Sequence, residues 1–316
     1  MEARKDYLLN RWVFYASNRK KRPREFKKPI ETAQTGTCFF CLGNEALTPP
    51  EIGSVKEKSK WILRWFDNKF PAVEKSGNPK IKSNGLLTST SAYGNHWVFV
   101  ETNNHSKQLW DLNPNHITKI LIAYKKIISD LSKKTPTKYV LIFKNHGREG
   151  GTSLIHSHSQ IVSMNIIPPL LEEESNASEQ YKKKTKKCAY CEIIKKELKS
   201  PRKCFENKYF AAFTPYASRY SFEAWLFPKF HANSITEISD DKLLYHAEIL
   251  SKVLRKLKTL NVSFNFFLHN SPDGKDLHYH MEITPRVGIW AGFEIGGNAI
   301  INSITPEDAA KFYRGK

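Results

Sequence analysis

A chain of 316 residues with 40% apolar and 12% aromatic residues is long enough to bury more than one packed core, so two domains are expected. No apolar run approaches the ~20 residues of a membrane-spanning helix, and the opening MEARKDYLLNRWVFY lacks the apolar core and cleavage site of a secretory signal. A soluble cytoplasmic protein without membrane attachment is therefore expected, and its formal charge of +19, from 50 Lys and Arg against 31 Asp and Glu, suits polyanions or phosphorylated metabolites alike.

Taken in chain order, the first landmark is Cys38-Phe-Phe-Cys41, answered much later by Cys188-Ala-Tyr-Cys191, with Cys204 left alone. Without a secretory signal, paired CxxC motifs with histidines downstream point to metal ligation rather than to disulfides or redox exchange. FDNKFPA (Phe66 to Ala72) follows the first pair and FENKYFA (Phe205 to Ala211) the second. Each leads to an apolar, strand-like run ending in histidine, HWVFVETNNH to His105 and EAWLFPKFH to His231.

A helix is predicted next in both halves. Near Asn115 to Lys134 the residues Ile117, Ile120, Leu121, Tyr124, Ile127, Ile128 and Leu131 form one stripe. Near Asp241 to Leu260, Leu243, Leu244, Ala247, Leu250, Val253, Leu254 and Leu257 do the same. Both stripes read as core. An apolar strand ending in asparagine follows each helix, YVLIFKN to Asn145 and FNFFLHN to Asn270, then a loop and an HxH strand, HSHSQI or HYHMEI.

This recurrence predicts an α+β fold of two tandem modules, each an antiparallel sheet with a packed helix. The expected division is residues 1–167, a linker at 168–187, and 188–316. The linker PPLLEEESNASEQYKKKTKK is read as such from its charge blocks and weak periodicity. Its lysine run, Lys182 to Lys187, is expected to be solvated surface.

Each module supplies two thiolates and two histidines, an N₂S₂ set for tetrahedral zinc: Cys38, Cys41, His105 and His156, and Cys188, Cys191, His231 and His278. Two structural zinc sites are expected. With His156 held by metal, His158 lies two residues on, where an extended chain places it on the same face, free to act as a nucleophile.

The preceding loop NHGREGGTS, Asn145 to Ser153, is rich in glycine, so its backbone N–H groups, around Gly147 and Gly151, are expected to approach a phosphate. It lacks the strand-loop-helix setting and GK[ST] of an ATP-binding P-loop. Together with Asn145, the Ser153 hydroxyl and the Gln160 amide, it predicts a site for attack by His158 on phosphorus. In the second module Glu282 stands where Gln160 does in the first, and a carboxylate there would repel phosphate. His280 is therefore expected to be catalytically idle.

RKDYLLNRWVFYASNRKKRPREF, the CxxC pair, NHSK, FKNHGREGGTSLIHSHSQ and GFEIGGNAIINSITPEDAAK together resemble the galactose-1-phosphate uridylyltransferase family of the histidine-triad superfamily, in particular its plant-type branch, described as ADP-glucose phosphorylase. The resemblance covers nearly the whole chain. It implies two histidine-triad domains, a homodimer, and ping-pong transfer of a nucleoside monophosphate through a nucleotidyl-histidine on His158. Donor and acceptor would be a nucleoside-diphosphate hexose and a phosphate or hexose-1-phosphate. Arg19, Arg22 and Asn68 would contact the nucleotide, and Asn145, Ser153 and Gln160 its phosphates.

Two departures bear on the acceptor. Ser157 and Ser159 replace the Pro and Gly of the HPHGQ found in true uridylyltransferases. The lysine and glutamine with which those enzymes hold a hexose phosphate are replaced by Gly288 and by Ile300 or Ile301. A rival reading, a basic zinc-stabilised nucleic-acid-binding protein, would use the same lysines. It finds no recognition helix, RNP motif or compact finger pattern here.

Overall fold

The computed structural model describes residues 1–16 and 36–315. Its strands are β1 (Glu2–Lys5), β2 (Trp12–Tyr15), β3 (Glu51–Glu57), β4 (Lys60–Asp67), β5 (Lys82–Asn84), β6 (Leu87–Ser89), β7 (Gly94–Val100), β8 (Tyr139–His146), β9 (His158–Met164), β10 (Lys203–Glu206), β11 (Phe210–Phe213), β12 (Ala224–Pro228), β13 (Phe264–His269), β14 (His280–Pro285) and β15 (Ile300–Asn302). The helices are α1 (Pro114–Ser132), α2 (Pro169–Thr185), α3 (Ala189–Glu197), α4 (Asp240–Leu260), α5 (Gly292–Gly297) and α6 (Pro306–Arg314).

Ten strands form one antiparallel sheet in the order β3-β4-β7-β9-β8-β13-β14-β12-β11-β10. Its first five strands come from residues 51–164 and its last five from 203–285. They join where β8 pairs with β13, placing Asn145 directly opposite Asn265 and Phe143 opposite Phe267. β1, β2 and β15 make a small separate sheet, and β5 and β6 a hairpin.

Helix α1 starts where its sequence directs. Asn113 Oδ1 accepts from the His116 N–H at 2.9 Å, and Pro114 supplies a first-turn φ that suits a helix. Its predicted stripe is buried throughout, with Ala123 added. α4 buries Leu243, Ala247, Leu250, Val253, Leu254 and Leu257, but Leu244 is only half-buried, and His246 and Ile249 join the buried face. These side chains and the sheet's apolar residues form one continuous core that includes Phe99, Phe264, Phe266 and Ile283. Complete burial of such a side chain stabilises by roughly 1.5–3 kcal/mol, so these helix faces hold the sheet from one side.

The segment predicted as a linker is largely helix α2. Its charge blocks, which obscured the period, fit the helix dipole: Glu172 lies in the first turn and Lys182, Lys183 and Lys184 in the last. The helix buries Leu171, Glu174, Ser175 and Ser178. Leu171 packs with Tyr190, Ile193 and Ile194 of α3 and with Phe213, Trp225 and Phe227 of the sheet. No helix among the described residues is long and apolar enough to cross a membrane.

Candidate active site

The sheet's alternation assembles the site. Val100 pairs with His158 and Val98 with Gln160 across β7 and β9, and Phe143 of β8 pairs with Gln160. Paired residues share a face, so His158, Gln160, Val98 and Val100 project together, while Ser157 and Ser159 turn to the other side. The strand starts at His158, and His156 lies just before it. Beside these residues, Phe40 packs with Phe66, Val98 and Val100, and its ring meets the His158 ring edge-on at 5.3 Å.

His158 Nδ1 lies 2.8 Å from the carbonyl oxygen of His156, an acceptor only, so Nδ1 carries the proton and donates. Nε2 is then left with its lone pair. Burial pulls the imidazole pKa down to about 4, which keeps the ring neutral near pH 7. A neutral imidazole with a fixed tautomer and an available Nε2 is the form that attacks an electrophile.

Behind the strand runs a buried polar network that sequence reading did not find. Lys144 Nζ donates to Glu101 Oε2 at 2.6 Å, to Ser157 Oγ at 3.1 Å and to the His158 carbonyl at 2.8 Å. Ser157 Oγ also donates to Glu101 Oε2 at 2.6 Å. The Tyr124 hydroxyl reaches Ser159 Oγ at 2.5 Å and donates to Glu101 Oε1 at 3.3 Å. Burial lowers the Lys144 pKa, against the opposing pull of Glu101. Both serines of HSHSQ are thus fixed from the core side.

Three side-chain amides stand around the site. Gln160 Oε1 lies 2.8 Å from His96 Nε2. Asn68 Nδ2 is 3.2 Å from the same nitrogen, and Asn68 Oδ1 accepts from the Phe70 N–H at 2.9 Å. Asn145 Oδ1 accepts from Asn265 Nδ2 at 2.8 Å.

The glycine loop differs from the expected cradle of backbone donors. The N–H groups of Gly150 and Thr152 donate to Gly147 O, and that of Gly151 donates to Arg148 O, because the loop closes as a 3₁₀ turn at Arg148–Gly150. Gly147 and Gly151 make that turn possible, with φ of +74° and +86°, and a Cβ on Gly147 would lie 2.1 Å from Ser263 Oγ. Ser153 is exposed on the same loop. Arg19 and Arg22 lie outside the described residues.

Both predicted metal sets come together. In the first, Cys38 Sγ and Cys41 Sγ lie 3.5 and 3.7 Å from His156 Nδ1, and Cys41 Sγ lies 3.4 Å from His105 Nδ1. In the second, Cys188 and Cys191 lie 3.9 and 3.5 Å from His278 Nδ1, and Cys191 lies 3.7 Å from His231 Nδ1. Zinc bonds of about 2.3 Å to sulfur and about 2.05 Å to nitrogen put tetrahedral neighbours about 3.5 Å apart, so the donor sets fit such an ion. His156 Nε2 donates to Thr102 O at 2.7 Å, and His278 Nε2 to Pro228 O at 3.2 Å, turning each Nδ1 toward its thiols.

The second HxH sits differently. His280 is fully buried, stacked on Tyr190 and Phe227 at 5.2 and 4.8 Å, and its Nε2 lies 3.7 Å from Glu282. Arg219 Nη2 donates to Glu282 at 2.6 Å, and Glu174 faces His269 Nδ1 at 2.9 Å. The ligand atoms of Glu174, His269, His280 and Glu282 lie within 4.8 Å of one another, but the carboxylates there already face buried cationic or protonatable partners.

His96, Asn265, Lys144 and Glu101 carried no sequence signal that set them apart. For His96 the available hint was its alternation with Val98 and Val100 along β7, which marks it as facing the site side.

Residues 1–168 match the family described as galactose-1-phosphate uridyl transferase, N-terminal domain. The ADP-glucose phosphorylase of Arabidopsis thaliana is 34% identical over 99% of this chain and 92% of its own length. The galactose-1-phosphate uridylyltransferase of Thermotoga maritima is 28% identical over 99% of this chain and 98% of its own. The crystal structure of an ADP-glucose phosphorylase from Arabidopsis thaliana with bound ADP-glucose superimposes with a TM-score of 0.87 at 32% identity, covering 100% of this chain and 99% of that one.

Proposed function

The chain belongs to the galactose-1-phosphate uridylyltransferase family and is a nucleotidyltransferase of that type, and from this premise we propose that it works through His158, in the manner of an ADP-glucose phosphorylase. The observation that carries the reading is the His158 ring, with Nδ1 tied to a carbonyl and Nε2 left to attack.

In the first half-reaction His158 Nε2 donates its lone pair to the α-phosphorus of a nucleoside-diphosphate hexose. The N–P bond forms as the bond from that phosphorus to the bridging oxygen breaks, and hexose-1-phosphate leaves with that electron pair. The ring becomes cationic, and its Nδ1–H donates to the His156 carbonyl, which stabilises the charge. In the second half-reaction an acceptor phosphate oxygen attacks the same phosphorus and the N–P bond returns its pair to Nε2. Gln160, Asn145 and Asn68 offer N–H donors to the phosphoryl oxygens as charge grows. Ser153, Gly147 and Gly151 belong to the adjoining loop, and Arg19 and Arg22 complete the proposed nucleotide contacts.

Inorganic phosphate is the favoured acceptor. Gly288 has no side chain, and Ile300 and Ile301 are apolar, with their backbones paired to Val13 and Phe14, so none of these positions offers a polar group to a hexose phosphate. Zinc is the proposed ion at both Cys₂His₂ clusters; when bound it would lock His156 and His278 in place as a structural ligand set.

The two five-strand halves and their helices, α1 and α4, support a duplication into histidine-triad modules at 1–167 and 188–316, with α2 between them. Ile81, Leu86 and Leu87 expose apolar surface around the β5–β6 hairpin, which supports burial against a second copy in a homodimer. Five free thiols fit a cytoplasmic setting. The nucleic-acid-binding alternative is not favoured, because the relatives carry the names of nucleotidyl-transferring enzymes.

The test is intact-protein mass after mixing with ADP-glucose, UDP-glucose and related donors. Wild type gains one nucleoside monophosphate and loses it on adding phosphate, while His158→Ala gains none. No gain from any donor, or an equal gain without His158, overturns the mechanism.

A further inference from the structure

The amides of Gln160 and Asn145 are held the same way round, and in each case the assignment ends on a backbone group whose polarity is fixed. The Ala72 N–H donates to His96 Nδ1 at 3.0 Å, so a neutral His96 carries its proton on Nε2. That N–H donates to Gln160 Oε1, which leaves the Gln160 amide nitrogen facing outward. Gly150 O accepts from Asn265 Nδ2 at 2.6 Å, so this nitrogen also donates to Asn145 Oδ1 and leaves Asn145 Nδ2 free to face the loop. Asn68 differs: its Oδ1 is taken by the Phe70 N–H, and its Nδ2 lies 3.2 Å from His96 Nε2, which cannot accept while it carries the proton given to Gln160.

We propose that His96 and Asn265 are positioning residues that lock Gln160 and Asn145 with their N–H₂ groups toward the phosphoryl, so that the pocket's side-chain amides present donors and no lone pairs. This rests on the reading that His158 takes up a nucleotidyl group. A free side-chain amide can turn by 180°, and the turned form puts an oxygen lone pair against a phosphate oxygen. The turn matters here because the N–H groups of Gly150, Gly151 and Thr152 are spent inside their own loop, leaving the side chains to supply donors.

The same logic explains the placement of the two residues. His96 is a diagonal neighbour of Gln160 on adjacent strands, since Val98 is the residue opposite Gln160. Asn265 is the direct partner of Asn145 across the junction of the two halves of the sheet. The second half of the chain therefore contributes to the first half's site through an amide nitrogen spent on Asn145 and Gly150.

The experiment measures the single-turnover rate of nucleotide uptake from ADP-glucose or UDP-glucose by intact mass, whichever donor labels the wild type. His96→Leu removes the donor without adding charge and should slow uptake ~10²-fold, close to the loss for one donor to a transition-state oxyanion. His96→Gln keeps an N–H near the Nε2 position and should stay within ~10-fold of wild type. Gln160→Ala should cost ~10²- to 10³-fold alone but less than ~3-fold on top of His96→Leu, because a misoriented amide has little left to lose. Asn265→Ala and Asn145→Ala should show the same non-additivity.

Independent, multiplying effects, or equal rates for the Leu and Gln variants, would overturn the positioning role. Failure of wild type to label would instead overturn the covalent reading. Should His96→Leu not fold, the cycle of Asn265→Ala with Asn145→Ala decides the same question: effects that multiply to within ~3-fold overturn the proposal.

Discussion

His158 Nδ1 donates to the carbonyl oxygen of His156 at 2.8 Å, and His156 turns its own Nδ1 toward Cys38 and Cys41. One residue thus sets the tautomer of its neighbour but one while belonging to a Cys₂His₂ cluster that could hold a metal ion. Replacing His158 with alanine removes the proposed attacking atom, so turnover should fall by most of an acceleration that is ~10⁶-fold or more for typical enzymes. His158→Gly opens space for a preformed nucleoside phosphorimidazolide. Supplied with that compound and phosphate, the variant should regain the second half-reaction alone, read as nucleotide released.

Metal content gives the second prediction. Elemental analysis of protein prepared without chelator should approach two zinc per chain, because two donor sets share the tetrahedral spacing. Cys38→Ser should lower the melting temperature and slow nucleotide uptake together, since the first cluster is one carbonyl away from His158. Cys191→Ser should lower the melting temperature with a smaller effect on uptake by the molecules that remain folded. A preparation that is active, fully reduced and free of metal would remove the prediction.

The sequence made legible what repeats in period or in order. α1 and α4 were readable because their apolar residues recur at helical spacing, and the two Cys₂His₂ clusters because the same four residue types recur in one order. Helix α2 was obscured by charge blocks that suit its dipole but hide its period. Lys144, on β8, and Glu101, just past the end of β7, are separated by 43 residues, so nothing along the chain pairs them. Asn145 and Asn265 are 120 residues apart and meet because the two halves share a single sheet. The turn in the glycine loop was not legible from its composition: Gly147 and Gly151 close it on itself, which spends the N–H groups of Gly150, Gly151 and Thr152.

His280 tests the asymmetry of the two halves. It is sealed between Tyr190 and Phe227, and Glu282 beside it is held by Arg219, so no substrate oxygen would be welcomed there. His280→Ala should leave turnover per folded molecule within ~3-fold of wild type while destabilising the fold by about 2–5 kcal/mol, as large-to-small core changes do. A fall in turnover comparable to that of His158→Ala, with stability intact, would move the nucleophile to the second half.

The Lys144–Glu101 pair joins fold stability to the placement of His158. Both side chains are essentially inaccessible, at 1% and 0% exposure, and Lys144 also holds the His158 carbonyl. Removing one partner strands the other charge in the core, so Lys144→Met and Glu101→Gln should each destabilise by about 3–5 kcal/mol in denaturant titrations. The double variant Lys144→Met/Glu101→Leu leaves no charge behind and should recover much of that loss, which a pair of independent contacts would not do. Uptake of nucleotide should not recover with it: Ser157 loses its acceptor and the His158 carbonyl loses its donor, so the strand carrying the nucleophile is held less tightly. The expected outcome is a double variant that is stable yet ~10-fold or more slower than wild type, since small misplacements of a reacting group are costly. If stability and rate return together, the network serves the fold alone and the strand is placed by its β-ladder with β7 and β8.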